Sequence, residues 1–262
     1  MTAYALAYLA FLYVPVLLLP VFSFNDSLFI AFPLRGFTTR WYAQMFADAG
    51  MQRALVNSLK VGLAAALVST SLALLAARAL TRYAMPGRTL VLGLAGLPLF
   101  IPDIVLGISL LILVTGVGIP LSLASVTIGH VMLCTPFALA VLMSRFEGFD
   151  KSLEEVSLDL GESGWMTFWR VTFPLVLPGI VSSLLLTFIV SFDDFLMAFF
   201  LSGTEQTLPV YIWGQLRFPY QLPGVLALGA AILAASCVLV VAAEWIRRRG
   251  VAAEGRAHYA GI

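Results

Sequence analysis

Residues 146–176 read FEGFDKSLEEVSLDLGESGWMTFWRVTFPLV, a polar interval set between the apolar runs Leu121–Ser144 and Leu177–Leu201. It holds Glu147, Asp150, Glu154, Glu155, Asp159 and Glu162, carboxylates that lipid hydrocarbon does not host. Ser152 followed by Glu154 and Glu155 has the form of an N-cap with a capping box, and Gly161 or Gly164 supplies a stop. This pattern predicts a short helix from Ser152 to Leu160. Leu153, Val156 and Leu160 share one stripe of that helix with the acids flanking it, so the stripe is expected to face a partner. A second amphipathic stretch, Trp165 to Phe173, is expected to end at Pro174 and Pro178, just before the membrane.

Outward from this interval the chain is a series of apolar runs. A helix needs about 20 mostly apolar residues to cross roughly 30 Å of hydrocarbon. Six stretches qualify: Ala3 to Phe24, Leu55 to Ala77, Val91 to Val114, Leu121 to Ser144, Leu177 to Leu201 and Gly224 to Ile246. The 262 residues are 61% hydrophobic and 11% charged, with a mean hydropathy of +0.98, which leaves too little charge to cover a water-exposed surface all round. Alternating polarity, the mark of a membrane barrel strand, is missing from Val61 to Ala77 and from Ile104 to Val114, so the expected class is an all-α membrane protein with six transmembrane helices. The start Met1-Thr2-Ala3 carries no Lys or Arg and the first run is long, so it reads as a retained helix.

Charge orients the spans. Arg78, Arg82, Arg88, Arg145, Lys151, Arg170, Arg247, Arg248, Arg249 and Arg256 fall on one side when the N-terminus is inside, against Arg35, Arg40, Arg53 and Arg217 on the other. Both termini are therefore expected in the cytoplasm. A net charge of +1 gives no reason to expect nucleic acid as a partner, whereas the lipid bilayer is one. Cys134 and Cys237 lie in apolar runs and read as buried hydrophobes, and the two histidines, His130 and His258, form no metal pattern. The expected division is 1–54 for the first helix and an external interfacial segment, 55–246 for a five-helix core, and 247–262 for a cytoplasmic tail. The aromatic and basic Phe37 to Tyr42 stretch suits the membrane interface as a surface helix or loop.

Three acids fall within predicted spans: Asp103, Asp193 and Asp194. A carboxylate there costs about 2.5–3.5 kcal/mol on insertion scales and should face a partner or a wet pathway. Pro98 and Pro102 break the helix before Asp103. Asp193 lies roughly 24 Å beyond Leu177 and Asp103 roughly 18 Å beyond Val91 along outward-running helices, so the acids share the outer half of the bilayer. A cavity lined by them would attract a cation. The alternatives are a helix cap for Asp103 and a structural hydrogen bond to a neighbouring helix for Asp193 and Asp194. Phe195, Tyr211 and Trp213 either stack on such a solute or form an interfacial belt. His130 reads as a hydrogen-bonded helix contact.

Glu155-Val156-Ser157, then Gly161, then Val171-Thr172-Phe173-Pro174 resembles, in spacing, the Glu-Ala-Ala, three residues, Gly, nine residues, Ile-x-Leu-Pro signature of the permease subunits of binding-protein-dependent ABC importers. Within that family the polyamine (spermidine/putrescine) type is similar in Ile101 to Gly107, in Ser191 to Phe195, and in Phe200 to Gly203 followed by Thr207-Leu208-Pro209. The resemblance implies a type I importer fold whose loop helix is a coupling helix, with Glu154, Glu155, Val156, Ser157, Asp159, Leu160, Gly161 and Pro174 as its ATPase-coupling residues. It implies as partners two ATP-binding cassette ATPase subunits, a second and different permease, and an external solute-binding protein. It also implies a small cationic solute, a polyamine or alternatively an opine or other small amine. The chain has no G-x-x-x-x-G-K-[ST] loop, so ATP and Mg2+ are expected on the partner ATPase and no cofactor or enzyme activity on this chain. Two rivals predict other things: an ion-coupled secondary transporter would use Asp193 and Asp194 as a relay, and an intramembrane hydrolase would pair His130 with a serine.

Overall fold

A computed structural model of the chain describes residues 1–238 and 241. Among these residues the elements are helical, apart from one β-bridge between Asn25 and Phe37. Five helices are long and apolar enough to cross a bilayer: Tyr4–Ser23, Ala49–Arg82, Leu123–Glu147, Gly164–Asp193 and Pro219–Val238. A sixth crossing is a bent pair, Arg88–Leu99 and Asp103–Gly116, meeting at 101°. That bend falls at Pro98 and Pro102, as the missing N–H groups require; Pro98 sits in a 3-10 turn and Pro102 is extended at ψ 132°. The end of the predicted sixth span, toward Ile246, and Arg247, Arg248, Arg249 and Arg256 lie outside the described residues.

The fifth crossing departs from its predicted limits. It starts at Gly164 instead of Leu177, passes through Pro174 and Pro178 without a break, and stops at Asp193 short of Leu201. Proline breaks an α-helix because its ring meets the carbonyl four residues back. Here Phe168–Thr172 is wound as a π-turn immediately before Pro174, and the Phe173 N–H reaches back five residues to Phe168 O, which widens the turn where the ring needs room. The amphipathic stretch expected from Trp165 to Phe173 is helical, and it runs on into the crossing without the break expected at Pro174. At the far end Asp194 is extended at ψ 127° and its Oδ2 accepts the Ala198 N–H at 3.2 Å, so the chain leaves one helix and starts another.

Contacts divide the chain into two compact units. One comprises Met1–Ala49 and the chain from Ile212 onward. Its first helix, α1 (Thr2–Ser23), is apolar on all sides and almost wholly exposed, as a lipid-facing helix is. The segment after it folds around α2 (Arg40–Ala47): Trp41 is buried and donates from Nε1 to Asn25 O at 2.9 Å, and Arg40 pairs with Asp26 at 2.7 Å.

The other unit is Gly50–Tyr211. It contains most of α3 (Ala49–Arg82), then α4 (Arg88–Gly96), α5 (Asp103–Gly116), α6 (Leu123–Glu147), α7 (Ser152–Asp159), α8 (Gly164–Thr167), α9 (Phe173–Asp193) and α10 (Leu196–Leu201). With 34 residues, α3 is about 51 Å long and outruns the hydrocarbon by roughly 20 Å. Between α9 and its neighbours runs a ladder of polar contacts at four-residue spacing, made by the Ser183 and Ser191 hydroxyls and the Thr187 main-chain carbonyl. Ser183 meets Thr70 at 3.0 Å, Thr187 O accepts Cys134 Sγ at 3.5 Å, and Ser191 meets His130 at 2.6 Å. With no hydrophobic drive between helices in lipid, such contacts and close packing hold the bundle. The short α10 is buried against α5 and α6, where Gly107 and Gly129 make room for Phe200 and Leu201.

Candidate functional site

The polar interval forms one small tertiary structure. Its helix α7 begins at Ser152 after Lys151 at the N-cap, so Ser152 is inside the helix and not its cap; the side chain that bonds the first turn is Asp150, whose Oδ1 accepts the Ser152 N–H at 2.9 Å. The Ser152 backbone and hydroxyl hold the Asp150 carboxyl below the usual aspartate range. At the other end Gly161 stands at φ +90°, with its N–H on Leu158 O at 2.9 Å and the Glu162 N–H on Ser157 O at 3.2 Å. Those two bonds are a Schellman close, so Gly161 and not Gly164 is the stop.

The inward face of α7 is polar. Glu154 is 8% exposed; its Oε2 lies 2.7 Å from Arg82 Nε as an ion pair without aligned hydrogen-bond geometry, and its Oε1 accepts the Thr172 hydroxyl. Ser157 and Thr167 share a buried hydroxyl contact at 3.0 Å. The outward face is apolar: Leu153, Val156 and Leu160 are 46%, 55% and 81% exposed. They line a groove of about 620 Å³ with Val171, Pro174 and Leu175, rimmed by the Glu162–Arg170 ion pair. Glu155 and Asp159 are exposed beside the stripe, Glu155 paired with Lys151 at 3.4 Å. The predicted coupling residues therefore divide into anchors, Glu154 and Ser157, and presented groups, Glu155, Val156, Asp159, Leu160 and Pro174, with Gly161 ending the helix.

The three membrane acids have different surroundings. Asp194 turns inward: its Oδ2 is 3.1 Å from His130 Nε2 and accepts from Ala198. His130 is 1% exposed, and its Nδ1 is 2.6 Å from Ser191 Oγ. Asp193 and Asp103 are exposed, Asp103 as the first residue of α5, where a negative charge suits the helix dipole. Phe195 packs beside Phe199 at 5.4 Å and against the core that holds α10. Tyr211 ends the Gly50–Tyr211 unit and Trp213 belongs to the other. The Ser191–His130–Asp194 chain has the residue types of a hydrolase triad, but Ser191 is 3% exposed between two packed helices, which leaves no face for an acyl carbon to approach. It works as an interhelix tie.

The protein family described as binding-protein-dependent transport system inner membrane component matches residues 69–250, a region that includes α7 and both acid sites. The chain belongs to this family. The spermidine/putrescine transport system permease protein PotC of Escherichia coli strain K12 is 34% identical over 240 residues, 91% of this chain and 90% of that protein. PotC of Haemophilus influenzae is 34% identical over 92% of this chain and 93% of its own length, and the putrescine transport system permease protein PotI of Escherichia coli strain K12 is 34% identical over 91% and 87%. Among solved structures, a bacterial ABC transporter involved in the import of the acidic polysaccharide alginate superposes with a TM-score of 0.72 at 16% identity, covering 93% of this chain and 94% of that one. A complex of the bacterial alginate ABC transporter with a pentasaccharide-bound periplasmic protein gives 0.68 at 19% identity, covering 91% of this chain and 90% of that one.

The chain is thus a multi-pass inner-membrane permease, all-α, with the importer fold. The permease carries two features that residue patterns alone did not expose. One is the inward polar face of α7, which the heptad-like apolar stripe had masked. The other is that His130 and Asp194, each read from the sequence as able to bond a neighbouring helix, meet one another; the regular spacing of Ser183, Thr187 and Ser191 was a visible sign that this face of α9 meets a polar neighbour.

Proposed function

We propose that this permease, together with a second and different permease chain, forms the pathway of an ATP-driven importer for a small cation of the polyamine class, such as spermidine or putrescine. Two ATPase subunits, carrying ATP and Mg2+, engage the outward face of α7, and an external solute-binding protein delivers the cargo. Both termini and α7 lie on the cytoplasmic side. The observation that carries the mechanical half of this reading is the division of α7: polar side chains fasten it to its own bundle, while Leu153, Val156 and Leu160 are left without protein cover on an element too charged for lipid.

The cargo reading rests on the similarity to PotC and PotI along nearly the whole chain and on the acids. The fold does not choose the sign of the cargo, since the alginate importer with this fold handles an acidic polysaccharide. Asp193 and Asp103, exposed at the ends of α9 and α5, are the carboxylates we assign to the solute, with Phe195, Tyr211 and Trp213 as aromatic neighbours along the chain. Asp194 supports the segment that carries Asp193. In proteoliposomes holding the complete assembly, radiolabelled putrescine and spermidine should accumulate only with ATP and the binding protein. Asp193→Asn and Asp103→Asn should each lower that uptake several-fold; uptake at the parent rate in both variants removes them from the pathway. Uptake that persists without ATP and collapses with an uncoupler would support the ion-coupled rival instead.

A further inference from the structure

An eight-residue helix is too short to hold its own shape in water, so α7 can transmit motion only through what fastens it. Its firmest fastening is one carboxylate. Glu154 meets Arg82 with one oxygen and Thr172 with the other. Arg82 is the last residue of α3; its Nη2 also donates to Phe146 O at 3.1 Å in the last turn of α6, and its guanidinium lies 4.3 Å from the Phe149 ring. Thr172 is the last residue of the π-turn that opens the fifth crossing. A single side chain on α7 is thereby tied directly to the end of α3 and to the π-turn of the fifth crossing, and through Arg82 to the last turn of α6. Burying a carboxylate and a guanidinium costs free energy that an apolar pair would avoid, so the pair contributes more to geometry than to stability. A π-turn, wound one residue wider than its surroundings, is also a point where a helix can change its winding.

We infer that Glu154, Arg82 and Thr172 form the joint through which α7 moves the membrane bundle: displacement of α7 carries the C-terminal end of α3 and the π-turn with it, and the C-terminal end of α6 follows through Arg82. These are positioning residues, since none of them meets solute or nucleotide. The inference rests on the proposed contact between α7 and an ATPase.

The test uses the complete assembly in proteoliposomes, with Glu154→Gln, Arg82→Gln and the double variant, measuring solute taken up per ATP hydrolysed. Each single change should lower that ratio about tenfold, and the double change should lower it no further, because both cut the same link. Losses that multiply in the double variant, or a ratio equal to the parent in either single variant, overturn the joint. A purely structural role would reduce the amount of assembled complex and leave the ratio alone. Where Arg82→Gln does not accumulate, the cycle of Glu154→Gln with Thr172→Val, which removes one hydroxyl, gives the same readout with the same two outcomes. If the parent assembly itself shows no ATP-dependent uptake, the proposed function fails instead, independently of the variants.

Discussion

Gly203 and Gly161 both hold left-handed backbone, at φ +60° and +90°, but for the two a side chain has different consequences. A Cβ on Gly161 meets nothing within 4 Å, whereas one on Gly203 would lie 2.6 Å from the Leu121 carbonyl oxygen. Gly161→Ala should cost about 1–2 kcal/mol from conformation alone, and Gly203→Ala should cost more, visible as the larger fall in thermal unfolding temperature of the detergent-solubilised chain. Asp150 gives a pH prediction. Its carboxyl is held below the ordinary aspartate value by Ser152, so its capping contribution is complete above about pH 4 and fades only as pH falls through the lower folded value. Hydrogen-exchange protection of the first turn of α7 should therefore be flat between about pH 5 and 8, and Asp150→Ala should reduce it across that range. That α7 would form was legible from Ser152, Glu155 and Gly161. Its exact start was not, because Asp150 bonds the Ser152 N–H and places Ser152 inside the helix instead of at its cap.

At the scale of elements, the crossings were legible wherever hydropathy alone sets them. Val91 to Val114 even announced its bend through Pro98 and Pro102. The fifth crossing was misjudged at both ends, for one local and one distant reason: Pro174 is tolerated because the turn before it is π-wound, and Asp194 ends the helix while His130 holds it from α6. The π-turn makes a strong prediction. Deleting Val171 would restore α winding and rotate the preceding residues by roughly 100°, pulling Thr167 away from Ser157. ATP-dependent uptake should fall to background, while unaltered uptake would show that the π-turn has no part in transport. The Thr70–Ser183 contact belongs to the same scale: Thr70→Ala and Ser183→Ala in a double-mutant cycle should couple by about 0.6 kcal/mol, the size usual for hydrogen bonds between membrane helices.

For the whole molecule, residues 146–176 are a polar structure on a chain otherwise made of membrane crossings, and the proposed function makes that structure a lever. The acids of residues 146–176 made a helix outside the lipid recognisable in the sequence, because lipid cannot hold them. The side of it that faces its own bundle was not, since Arg82 comes from an element far along the chain and Thr172 is brought back to Glu154 only by the fold of the interval. The proposed orientation, read from the arginines, predicts that a fluorescent protein fused to the N-terminus will fold and fluoresce in cells, as it does only on the cytoplasmic side. The account depends most on what covers Leu160, the most exposed residue of the apolar stripe. A photoreactive side chain placed there in the intact assembly should cross-link to an ATPase subunit with a yield that changes when ATP is bound. Cross-links to lipid, or to the chain itself, with the ATPase untouched in every nucleotide state, would contradict it.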